Sequence, residues 1–115
     1  MRRLLSVLLL CVAATAQGAD KHYAISIDDW VRPKDGRAVA HMQPLAQAVR
    51  ALAASGDSEL VINYPGGEQG SLWAHELRSW LVALGVSSRR LRLAPGSQRE
   101  DALDIQVVQG SESLQ

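Results

Sequence analysis

Glu59-Leu60-Val61-Ile62-Asn63-Tyr64 runs into Pro65-Gly66-Gly67-Glu68-Gln69-Gly70-Ser71, then into LWAHELRSWLVAL and Gly85-Val86. The first six residues predict a strand, with Leu60-Val61-Ile62 as a continuous apolar run buried on both faces. Proline and three glycines can neither extend a strand nor favour a helix, so residues 65–70 predict a loop. Ser71 is placed to accept from a free backbone N–H and cap the helix that follows. In that helix Trp73, Leu77, Trp80, Leu81 and Leu84 share one side, while His75, Glu76, Arg78 and Ser79 fall mostly off it. Gly85 followed by Val86 predicts a left-handed Schellman ending, with Val86 packing back on Leu81.

Upstream, residues 37–55 predict a helix. Val39, Met42, Ala46, Val49 and Ala53 recur at helical spacing, and Leu45 and Leu52 widen the stripe. Pro44 conflicts with an unbroken helix because it lacks an N–H and clashes with the preceding turn. The segment therefore reads as a kinked helix or as two abutting ones, the main one starting at Pro44. Gly56 ends it. Before it, residues 31–36 form a turn. Tyr23, Ile25 and Ile27 alternate with Ala24, Ser26 and Asp28, the period of a half-buried strand. Residues 17–22 read as a loose polar leader.

Downstream, Arg90-Leu91-Arg92-Leu93 alternates as a third strand, and residues 94–97 turn the chain. Leu103, Ile105 and Val107 alternate with Asp104, Gln106 and Val108 as a fourth. The order β-α-β-α-β-β predicts an α/β (α+β) two-layer sandwich: a mixed sheet with two helices on one face. Ser26, Asp28, Arg90, Arg92, Asp104 and Gln106 are expected on the uncovered face.

The N-terminus has a different character. Met1-Arg2-Arg3 is basic, and Leu4 to Ala14 is apolar apart from Ser6. The run is shorter than the ~20 residues of a membrane-spanning helix. Small residues follow, so residues 1–19 read as a signal peptide cleaved after Ala16 or Ala19. Leu10 before Cys11 argues against lipidation at that cysteine. Cleavage after Ala16 leaves 99 of the 115 residues, with 10 of the 12 basic and all 12 acidic residues, net −2, and removes the only cysteine. The exported chain is then one domain, residues 20–108, with a disordered tail at 109–115. Its charge balance excludes the basic excess of a nucleic-acid binder. The lack of thiols excludes thiolate metal and redox chemistry in the exported chain.

Residues 23–108 resemble the OmpA C-terminal-like domain, the peptidoglycan-associating module of Gram-negative envelopes. The resemblance rests on a strand leading through a Pro/Gly turn into a helix at Asp35-Gly36-Arg37. It continues with Leu60-Val61-Ile62 before a polar loop ending at Gly70, and with Leu81-Val82-Ala83-Leu84-Gly85-Val86 passing to Arg90-Leu91. It implies a periplasmic, outer-membrane-associated module that is not an enzyme and carries no cofactor. The family binds the charged ends of the stem peptide with an aspartate and an arginine. Gly67 stands at the aspartate position and a gapped match puts Trp73 near the arginine, so the chain resembles a reduced member lacking that pair. The implied partner is an envelope protein rather than peptidoglycan.

Candidate binding residues are Glu68, Gly70 and Ser71 in the predicted loop, Arg78 on the helix, and Arg90 and Arg92 of an arginine group that includes Arg89 and Arg99. The loop could offer N–H groups to an anion, but no P-loop lysine follows. Ser71 and His75 are one turn apart, as in a nucleophile–base pair, but no third group orients them. His75-Glu76 lacks the second histidine of a zincin, so no metal site is expected. Asp28-Asp29 reads as a solvated strand end. Trp73 and Trp80 are expected in the core, Trp80 fully enough that truncation costs ~3–5 kcal/mol. Trp30 is expected to stand exposed as an anchor for a partner. Two further functional readings follow: an accessory subunit of a secretion or pilus-assembly machine, and a small periplasmic hydrolase using Ser71, His75 or Glu68.

Overall fold

A computed structural model describes residues 21–32, 34–97 and 99–109. The signal peptide read at residues 1–19 and nearly all of the tail read at 109–115 lie outside them. The expected two-layer architecture is present. Four strands, β1 (Lys21–Ser26), β2 (Ser58–Tyr64), β3 (Leu91–Pro95) and β4 (Ala102–Gln109), form one mixed sheet in the order β1-β4-β2-β3. The β2–β3 pair is parallel, and β4 runs antiparallel to both β1 and β2. Parallel neighbours need a long crossover, which the helix between β2 and β3 supplies. The helices are α1 (Ile27–Trp30), α2 (Gly36–Ala40), α3 (Gln43–Ala53) and α4 (Gly67–Ala83), with a 3₁₀ turn at Ser88–Arg90. Among the described residues no helix is long and apolar enough to cross a membrane.

β1 starts earlier than the leader reading allowed, because Lys21 and His22 pair with Val107 and Gln106 of β4. Gln109 likewise belongs to β4, opposite Ser58, and not to a tail. Leu60, Val61 and Ile62 are buried as expected. Leu60 and Ile62 join Ile25, Leu91, Leu103, Ile105 and Val107 under α3 and α4, and this side holds the core. Val61 points the other way, between Arg92 and Gln106 in the register.

Pro44 divides the first helical segment. It sits in the first turn of α3, where its missing N–H costs nothing, and the N-cap Met42 is extended. Asp35 caps α2, its carboxylate accepting from the Ala38 N–H at 2.9 Å. The extended Met42 resets the phase of the stripe. The fully buried line on α3 is Leu45, Ala48 and Leu52, and Val49 only flanks it.

α4 departs from expectation at both its start and its buried face. It begins at Gly67 behind the N-cap Gly66, so Ser71 lies inside the helix and caps nothing. The buried line is Gly70, Ala74, Leu77 and Leu81. Small residues at the first two positions let the helix axis come close, and the two tryptophans fall to either side. Trp80 is half-buried, with its ring near the Cα of Gly36, so its truncation costs less than a buried aromatic would. Leu84 is 44% exposed. The Schellman ending is as expected. Gly85 has φ 111°, the Val86 N–H donates to the Leu81 carbonyl at 2.9 Å, and the Gly85 N–H donates to Val82 at 3.0 Å.

Candidate functional site

Trp30 is not the exposed anchor its position suggested. A single helical turn, α1, capped by the Ser26 hydroxyl accepting from the Asp29 N–H, swings it inward and buries it completely. Its indole N–H donates to Glu76 Oε1 at 3.0 Å, and the Lys34 ammonium lies 4.2 Å from the ring centroid. Turning Trp30 in turns its neighbour Val31 out, to 56% exposure. Across from it Leu72 of α4 is 60% exposed. A shallow groove of about 490 Å³ separates them, lined also by Lys34, Gln69, Trp73 and Glu76. A depression over the start of α4 adjoins it, where Glu68 and Ser71 lie beside Leu72 and His75. The two most exposed large apolar side chains of the described residues thus border one concavity with a charged rim.

The sequence signal for this patch was Leu72, an apolar residue off the helix stripe. Val31 carried no such signal, because its exposure follows from the burial of Trp30.

The predicted site residues are placed as follows. Glu68 is exposed in the first turn of α4, and Ser71 is half-buried one turn later. Gly70 is buried, packed against the Pro65 carbonyl rather than open to solvent. Arg78 is ten residues beyond Glu68, about 15 Å along the helix axis at 1.5 Å per residue, so the two charges do not converge. Among the described residues the ion pairs are Asp29–Arg32, Glu59–Arg92 and Asp101–Arg99, none of them beside Gly67.

The arginine group is dispersed. Arg92 pairs with Glu59 at 3.2 Å on the uncovered sheet face. There Asn63 donates to Gln106 and Ser97 donates to Asp104, so that face carries a paired polar lattice. Asp28 belongs to α1, not to that face. Arg90 also leaves it. It ends the 3₁₀ turn and reaches under the sheet, Nε donating to the Ser58 carbonyl at 3.0 Å and Nη2 to those of Leu52, at 2.9 Å, and Ser55. These carbonyls include the open C-terminal end of α3, where a cation is favoured. Arg90→Ala is expected to cost about 1.5–3 kcal/mol, the range for hydrogen bonds to a charged group. Arg90→Lys should recover less than half, because one ammonium cannot reproduce the guanidinium fork. Urea midpoints at unchanged m-value would measure both.

Ser71 Oγ lies 3.5 Å from His75 Nδ1, but the same Nδ1 is 2.9 Å from the Ser71 carbonyl. A nitrogen donating to a carbonyl carries its proton and has no lone pair with which to activate the hydroxyl. The geometry is that of a helix-surface contact. His22 lies in β1, His41 just past the end of α2 and His75 in α4, and among the described residues no three metal-ligating side chains come together.

No protein-family model matches the chain. No curated protein is significantly similar to it either. The site therefore has to be read from its own chemistry. An apolar pair at a groove with a charged rim is suited to binding a protein surface.

Proposed function

We propose that the chain is a non-enzymatic cell-envelope module that binds an envelope protein through the Val31–Leu72 groove. The reading takes the residue 1–19 segment as an export signal and the β-α-β-α-β-β order as that of a reduced OmpA C-terminal-like domain. The observation that carries it is the pairing of Val31 and Leu72 across a groove with Trp73 in its wall. Exposed apolar side chains clustered at one concavity, rimmed by Lys34, Glu68 and Glu76, are the composition of a protein-binding patch. Glycan recognition is disfavoured, because Glu68 and Arg78 stand too far apart to clasp a zwitterionic peptide end.

A photo-crosslinking residue placed at Leu72 in the exported protein tests the reading. The expected result is an adduct with one discrete envelope protein, absent when the probe is at Glu100 and lost with Val31→Glu. Saturable retention of the purified protein on isolated sacculi, with no protein adduct from Leu72, would overturn it.

A further inference from the structure

We propose that the outer edge of β1 receives an extended acidic segment of a partner protein, which joins the sheet as a fifth strand. This edge lies outside the Val31–Leu72 groove and shares only Lys34 with its lining. The strand order leaves β1 at the border of the sheet, and among the described residues no strand pairs with its outer side. β1 spans six residues without proline or a bulge, and its backbone is a ready template for strand addition.

A groove of about 430 Å³ meets this edge towards the end of β1. Ala24 and Ile25 both line it. Consecutive strand residues point to opposite faces, so one groove touches both only where it passes over the edge itself. Ala38, Met42 and Pro44, at the junction of α2 and α3, form the facing wall. That wall is mostly apolar and suits the inward side chains of an added strand. Main-chain hydrogen bonds then supply affinity and the wall supplies selectivity.

Charge sets the sign of the segment. Arg32 and Lys34 line the groove at the end of β1, and Lys21 is exposed at its start. Asp29 is the one carboxylate in the lining. It meets Arg32 only at 4.0 Å, with both side chains more than 60% exposed, too solvated a contact to cancel the cation. Two cations against one anion in the lining, with Lys21 beyond it at the start of β1, favour an acidic strand.

The test uses the full ¹⁵N-labelled chain and three capped peptides: Thr-Val-Thr-Val-Asp-Asp, its Lys-Lys counterpart, and the acidic peptide with alternate backbone nitrogens methylated. The acidic peptide is expected to shift the amides of residues 21–26. It should bind at least roughly tenfold more tightly than the lysine peptide and lose most of its affinity on N-methylation or with Lys21→Glu and Arg32→Glu combined. Both substituted residues are exposed, so the variant should retain its fold and its far-UV spectrum. Equal affinity for the two charge types, indifference to N-methylation, shifts confined to residues around Leu72, or no shift at about 1 mM peptide would each overturn the proposal.

Discussion

Trp30→Ala should destabilise the domain by about 4 kcal/mol, the middle of the range for deleting a buried aromatic side chain. Trp30 has no exposed surface and belongs to the core cluster. It stands where the end of β1 meets the middle of α4, tied there by its N–H to Glu76. Lys34 closes over the ring and donates to the Trp30 carbonyl. Removing the indole opens a cavity between layers that cannot close, because sheet and helix are each held by their own hydrogen bonds. A small domain has only ~5–15 kcal/mol in total, and each kcal/mol is worth about 4–8 °C in Tm at this size. The expected fall is therefore on the order of 20 °C. Trp30→Phe should cost far less, since most of the burial is kept and the exposed Glu76 carboxylate can turn to water. A calorimetric Tm within a few degrees of the parent for Trp30→Ala would place the ring outside the core.

Gly70→Ala should also destabilise strongly, by about 3 kcal/mol or more, although it replaces a poor helix former with the best one. In an open helix interior the change normally stabilises by ~1 kcal/mol. Here an added Cβ would lie 1.9 Å from the Pro65 carbonyl oxygen and 2.7 Å from its carbon. Both obstructing atoms are backbone, and Pro65 is itself buried, so no side-chain rotation relieves the clash. Either the start of α4 lifts from the end of β2 or the chain at Pro65 moves. Gly56→Ala is the contrast, because a Cβ there meets nothing within 4 Å and φ is not positive. Urea unfolding of the two variants should give opposite ranks to those of helix propensity. A stabilised Gly70→Ala would mean that Pro65 does not pass over this helix.

Several features could be read directly from the chain. Leu60-Val61-Ile62 read as a buried strand, and Leu103, Ile105 and Val107 as alternating core positions, because apolar periodicity reports which side is covered. Gly85-Val86 read as a helix ending because only glycine enters the left-handed region freely. Pro44 announced a division of the helix but not the change of phase across it, which arises from the extended backbone at Met42. The site was less legible. Glu68, Gly70 and Ser71 were placed in a loop because glycines argue against a helix, yet the close pass of Pro65 over Gly70 needs a glycine within one. Arg90 looked like a surface charge. Its three carbonyl partners lie 32 to 38 residues away in sequence.

Element type, element order and the two-layer class were settled locally, by spacing and punctuation within a few turns of chain. The start of α4, the burial of Trp30, the outward turn of Val31 and the clamp made by Arg90 were not. Each depends on which distant backbone or side chain arrives opposite, and that is set only when the helices close on the sheet. The exposed groove is a by-product of the same closure, since burying Trp30 against α4 leaves Val31 and Leu72 facing each other across open space.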